Sequence, residues 1–155
     1  MSATRDFDLE RVEAAPPRRW DRIEGLLGQV APTALRVSIG LLFVWFGLLK
    51  VVGRSPVADL VHATLPWVSR DVLLPTLGAV EVVLGIALLV GKPRRTTLVV
   101  TAAHLAGTFL VFAQAPSLAW SDGNPLLLTA TGEFVLKNLV LVCAVLLLLG
   151  LRRRS

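Results

Sequence analysis

Hydrophobic positions in this chain come in long unbroken runs. They show neither the spaced stripes of a water-soluble helix nor the alternation of a half-buried strand. Four runs reach the length of about 20 apolar residues that a helix needs to cross a bilayer. They are residues 32–52 (PTALRVSIGLLFVWFGLLKVV), 72–90 (VLLPTLGAVEVVLGIALLV), 96–113 (TTLVVTAAHLAGTFLVFA) and 126–151 (LLLTATGEFVLKNLVLVCAVLLLLGL). In hydrocarbon each backbone N–H and C=O has to be satisfied within its own segment, so these runs predict helices. The period-two pattern of a membrane barrel is absent. The predicted fold is therefore an all-α membrane protein, a bundle of four transmembrane helices.

The polar stretches divide the rest. Residues 1–31 form an N-terminal segment, charged up to residue 17 and with a single "APP" at 15–17, which predicts disorder over residues 1–17. Trp20, Ile23, Leu27 and Val30 then recur at helical spacing, with Arg19 and Arg22 beside them. That stripe predicts an amphipathic helix on the inner membrane surface, anchoring the first span. The segment lacks the apolar stretch of a signal peptide. Residues 32–151 form the membrane domain and 152–155 a basic tail. Within the first connection, residues 53–71, Asp59, Leu60, Ala63 and Thr64 predict a short surface helix. Residues 91–95 (GKPRR) predict a tight basic turn. Residues 114–125 form a connection charged only at Asp122, with Trp120 suited to the half-wet interface.

Composition sharpens this picture. Hydrophobic residues make up 54% of the 155 and charged residues only 17%. A soluble domain carries about a quarter charged residues. The formal charge of +5 raises nucleic acid as a partner, but its distribution argues against it. Arg5, Arg11, Arg18, Arg19 and Arg22 precede the first span, Lys92, Arg94 and Arg95 fill the second connection, and Arg152, Arg153 and Arg154 end the chain. The first connection has only Arg54 and Arg70, and the third has none. By the positive-inside rule both termini face the cytoplasm, as expected of a multi-pass membrane protein. A single cysteine, Cys143, excludes a disulfide framework and reads as a small packing residue.

The candidate chemistry lies in the ionisable groups inside the runs, since a charge at the bilayer centre costs about 2.5–3.5 kcal/mol. These are Lys50, Glu81, Glu133 and Lys137, joined by His104 and Asn138, with Arg36 at the cytoplasmic mouth of the first span. A rise of about 1.5 Å per residue sets Lys50 level with Glu133, and Glu81 level with Lys137. That predicts two layers of opposite charges inside the bundle. Simpler fates compete: Lys50 snorkelling to the outer interface, or Glu133 and Lys137 pairing along one helix. Gly40 and Gly47 share a stripe with Lys50, and Gly78 and Gly85 with Glu81, which marks faces that approach a neighbouring helix closely. One imidazole without a second ligand gives no metal or haem site. No nucleophile–base set, phosphate loop or dinucleotide fingerprint is present.

The stretches LRVSIGLLFVWFGLLKV (35–51), LGAVEVVLGIALLVGKP (77–93) and GEFVLKNLVLVCAVLLLLG (132–150) resemble the DoxX-like small membrane proteins, and among them the YkgB-type branch associated with reactive-chlorine resistance. Arg36, Gly47 and Lys50 match the family's arginine-to-GLLK arrangement, Glu81 its mid-helix glutamate, and Lys137 the branch's VLK pattern. The first connection is short where the branch carries a long insertion. The resemblance implies a four-helix membrane bundle and a link to membrane redox or oxidative-stress assemblies, among them a thiosulfate:quinone oxidoreductase; no resident cofactor is predicted, and a quinone is the one ligand the resemblance suggests. Three functions stay open. The chain is a non-catalytic subunit of such an assembly, with an interhelical polar cluster for a quinone or a partner protein. Alternatively it is a small proton- or solute-linked carrier, oligomeric, using Glu81 and Lys137. Or it is a structural scaffold whose charges fix helix register.

Overall fold

The computed structural model describes residues 19–91 and 94–151. The whole N-terminal stretch expected to be disordered, residues 1–17, together with Lys92 and Pro93 of the basic turn and the basic tail, lies outside the described residues. Four helical stretches are long and apolar enough to cross a membrane: Arg19–Val51, Arg70–Leu89, Arg95–Gln114 and Ala130–Leu151. Their outward faces carry large apolar side chains, among them Leu41, Trp45, Val83, Val140 and Leu147, all exposed. Water-soluble monomers rarely expose apolar surface on this scale, so the molecule is consistent with a multi-pass membrane protein.

Helix α1 (Arg19–Val51) is continuous through Pro32. No boundary separates the predicted surface helix from the first span. At about 1.5 Å per residue its 33 residues reach about 50 Å, well beyond the ~30 Å hydrocarbon thickness. Trp20, Leu27 and Val30 are all exposed on its first turns. The short helix predicted in the first connection is α2 (Ala58–Thr64), and the second span is α3 (Arg70–Leu89). The end of the molecule that carries α2 is called the α2 end below, and the opposite one the termini end.

Helices α1 and α3 run antiparallel in the tightest packing of the structure. Gly47 faces Gly78 and Gly40 faces Gly85. A Cβ placed on Gly47 would lie 2.6 Å from the Gly78 carbonyl oxygen, and one on Gly85 2.7 Å from that of Gly40. With no side chain at these positions the two backbones touch. Arg36 of α1 donates through Nη1 to the Leu88 carbonyl and, at 3.2 Å, to that of Leu89. It thereby satisfies two of the carbonyls that the end of α3 leaves open.

The third and fourth spans are not regular. Helix α4 (Arg95–Gly107) passes through a 3₁₀ turn, Thr108–Leu110, into α5 (Val111–Gln114). A single turn, α6 (Pro116–Ala119), precedes a two-stranded hairpin of β1 (Trp120–Ser121) and β2 (Asn124–Leu128). Its two-residue turn is Asp122–Gly123, both at positive φ (52° and 68°), as the twist of a tight hairpin demands. Residues 126–128, assigned from sequence to the fourth span, are strand. The fourth span starts at α7 (Ala130–Leu136) and continues after Lys137 as α8 (Asn138–Leu151). Thr129 caps α7, accepting from the Gly132 N–H at 3.0 Å and donating to the Leu118 carbonyl at 2.5 Å. Toward the termini end all four spans share one apolar core, including Ile39, Leu88, Leu98 and Val145. Cys143 is exposed rather than packed in that core.

Candidate functional site

The site lies above that core, toward the α2 end. Lys50, on the last turn of α1, is 6% exposed, and Glu81 of α3 is 8% exposed. Lys50 Nζ donates to Glu81 Oε1 at 2.8 Å and Oε2 at 2.6 Å. His104 Nε2 of α4 lies 2.8 Å from Glu81 Oε1. An ionised carboxylate only accepts, so Nε2 carries the hydrogen in this bond and the other ring nitrogen is left to meet something else. The His104 ring also packs against Phe43, centroids 5.7 Å apart. One carboxylate on the second span therefore ties together the first, second and third spans.

The pairing differs from the two layers expected from sequence, and side-chain direction explains why. Gly47 opposite Gly78 sets the register of the antiparallel pair. Lys50 starts three residues toward the α2 end from that crossing and Glu81 three residues away from it. Their backbones are thus offset by about 9 Å at about 1.5 Å per residue. Helical side chains lean toward the N-terminus of their own helix. On α1 that direction is away from the α2 end; on α3 it is toward it. Both side chains lean into the gap and close it, which a comparison of backbone depths alone does not foresee.

Glu133 and Lys137 do not join the cluster. Both are exposed, and neither makes an ion pair among the described residues. The inward stripe of α7 is Gly132 and Val135, and Glu133 and Lys137 sit off it. A Cβ on Gly132 would overlap the Ala119 carbonyl, which fixes this face against α6. Three residues beyond Val135 the same stripe presents Asn138, half-buried, whose Nδ2 donates to Thr108 Oγ1 at 3.0 Å. The Thr108 hydroxyl in turn donates to the Leu105 carbonyl at 2.7 Å. This bond joins the two irregular spans where each departs from α-helix: the 3₁₀ turn of the third and the break at Lys137 in the fourth. Thr108 was missed in the sequence, although it lies one turn after His104 on the same face.

Between these groups is a cavity of about 240 Å³. Lys50, Glu81, His104, Thr108 and Asn138 contribute its polar wall. The remainder is apolar: Phe43 and Phe46 from α1, Leu60 and Val61 from α2, Phe134 and Leu141 from the last span. Leu42 and Phe134, 38% and 37% exposed, place part of that wall at the molecular surface. There the Phe46 and Phe134 rings meet edge to face, centroids 6.0 Å apart. A second, polar recess of about 280 Å³ opens at the α2 end, lined by Lys50, Gly53, Arg70 and Asp71 among others. No cluster of side chains suited to a metal ion is present among the described residues. No protein-family model, curated protein or solved structure matches the chain.

Proposed function

We propose that the chain is a multi-pass protein of a bacterial plasma membrane, both termini cytoplasmic, that holds an amphipathic ligand of quinone type. It acts as a non-catalytic subunit of a membrane redox or stress-defence assembly. The observation that carries the ligand is the cavity. It is apolar over most of its wall, with a buried cation–carboxylate pair, a half-buried imidazole and an amide on the remainder. Ligand sites of this kind fix orientation with a few polar groups in an apolar cleft. A volume below the ~300–1,000 Å³ of drug-sized sites suits one ring. A long isoprenoid tail then runs out past Leu42 and Phe134 into lipid. Lys50 Nζ and the Asn138 amide N–H are donors suited to the two carbonyl oxygens of a quinone ring, and the unbonded nitrogen of neutral His104 is an acceptor suited to the hydroxyl of the reduced, quinol form. The redox or stress setting comes from the DoxX-like resemblance, and the basic inner loops support the orientation.

The test is binding of a short-chain ubiquinone to the full chain in mild detergent, read by native mass spectrometry and by equilibrium partition. One quinone per chain is expected. Leu42→Trp, whose larger ring enters the cavity from its exposed rim, should weaken binding about tenfold or more, equivalent to ~1.4 kcal/mol, without lowering thermal stability. Absence of binding, or binding indifferent to that substitution, refutes the assignment.

A further inference from the structure

The apolar cavity and the polar recess share a single lining residue, Lys50. On one side its ammonium is bonded to Glu81. On the other side it borders a recess walled by Gly53, Arg70 and Asp71, all exposed at the α2 end. From Glu81 the hydrogen bonding continues through Oε1 to His104 Nε2, and both Glu81 and His104 line the cavity. The charged or titratable groups facing Glu81 are Lys50 from α1 and His104 from α4. The last span presents only the Asn138 amide to the cavity, and α2 only the Thr64 hydroxyl. The salt bridge of Arg70 with Asp59 is a separate, exposed one. The core of Ile39, Leu88, Leu98 and Val145 blocks the other direction, toward the termini end, with apolar side chains.

We propose that Lys50, Glu81 and His104 form a one-sided proton path from the polar recess at the α2 end to the cavity, so that a hydroxyl-bearing ligand there exchanges its proton with that side of the membrane alone. The path rests on the ligand assignment above. In the outward direction, a ligand hydroxyl gives its proton to the unbonded ring nitrogen of His104. The Nε2 proton passes to Glu81 Oε1. Lys50 releases one proton to water in the recess and takes the one on Glu81 in its place. The ligand ends as its anion, Glu81 as carboxylate, Lys50 as ammonium and His104 as neutral imidazole with its hydrogen on the other ring nitrogen; a turn of the ring brings that N–H to Glu81 and leaves Nε2 to accept the next proton. One proton has moved and no electron has. Inward transfer reverses each step.

Dicyclohexylcarbodiimide, a bilayer-soluble reagent that attacks protonated carboxyls, tests this with the wild-type full chain. The protein is placed in sealed vesicles of neutral phospholipid, its sidedness read by protease access to the tail, with the two aqueous compartments buffered independently. Glu81 is scored by peptide mass spectrometry as the acylurea or as the amide formed with Lys50. Labelling should rise severalfold as pH is lowered on the α2 side. It should ignore pH on the termini side. In Lys50→Met the dependence on the α2 compartment should disappear. Labelling that follows the termini side, follows both sides equally or fails at every pH overturns the path. Quinone binding is measured separately on the same preparation, so failure of the path and failure of the ligand assignment are told apart.

Discussion

Removing Lys50 should cost the protein far more than removing its partner's charge. In Lys50→Met the Glu81 carboxylate, 8% exposed, keeps only the 2.8 Å bond to His104 and loses both bonds to the ammonium. Breaking a buried ion pair from one side costs about 3–5 kcal/mol. The lower half of that range applies because His104 still donates. In Glu81→Gln the amide oxygen can keep the His104 bond, and the stranded ammonium has an escape: the polar recess that Lys50 already lines. Long cationic side chains re-aim in this way at small cost, so about 1–2 kcal/mol is expected. The double variant has no stranded charge and should resemble the milder single one, giving a coupling about as large as the Lys50→Met cost itself, about 3–4 kcal/mol. Reversible unfolding in lipid–detergent mixtures, followed for all four proteins, measures each corner of the cycle. Strict additivity, or a Lys50→Met cost below about 0.5 kcal/mol, the level of an ordinary surface change, would refute the claim that the pair is buried and mutually satisfied.

Other substitutions probe the scaffold. Gly47→Ala puts a methyl 2.6 Å from the Gly78 carbonyl and 2.9 Å from the Val82 nitrogen. Neither backbone atom can swing aside, so a loss of about 1–3 kcal/mol is expected by the same unfolding assay. Gly28→Ala, with nothing within 4 Å, should be neutral or stabilising by up to ~1 kcal/mol. Asn138→Leu removes the bond to Thr108 and should cost about 0.6 kcal/mol, at most ~1.7, the range of interhelical hydrogen bonds in membranes. Glu133→Gln and Lys137→Gln, both at exposed positions, should shift stability by less than about 0.5 kcal/mol and leave quinone binding unchanged.

How much of this could be read from the chain varied with the kind of signal. The helical stretches were legible because run length is a direct consequence of bilayer thickness. The observed ends of the second and third lie within two residues of the runs. The glycine stripes were legible because Gly40, Gly47, Gly78 and Gly85 recur at helical spacing beside ionisable groups, and they do form the α1–α3 contact. The short helix α2 was legible too. The hairpin was not, although Ser121–Asp122–Gly123–Asn124 carries a strong two-residue turn signal. The apolar Leu126, Leu127 and Leu128 made its second strand look like the start of the next span. The partner of Lys50 was misjudged because depth was compared between backbones, whereas long side chains on antiparallel helices lean toward each other. Glu133 and Lys137 share a face, as their spacing requires, but only contact with α6 through Gly132 decides that this face points outward. The helix break at Lys137 has no local Pro or Gly to announce it, whereas the 3₁₀ turn at Thr108 follows Gly107 directly, a weak local signal inside an otherwise apolar run.

The carboxylate of residue 81, held between an ammonium and an imidazole from two other spans, is the centre of the account. Solid-state NMR on the full chain in lipid bilayers, with ¹⁵N in lysine and histidine side chains and ¹³C in glutamate side-chain carboxyls, reads this geometry through dipolar dephasing. Strong dephasing of the Glu81 carboxyl by both Lys50 Nζ and His104 Nε2, abolished for the first in Lys50→Met, is the predicted result. A Glu81 carboxyl that shows no dephasing from either nitrogen would contradict it.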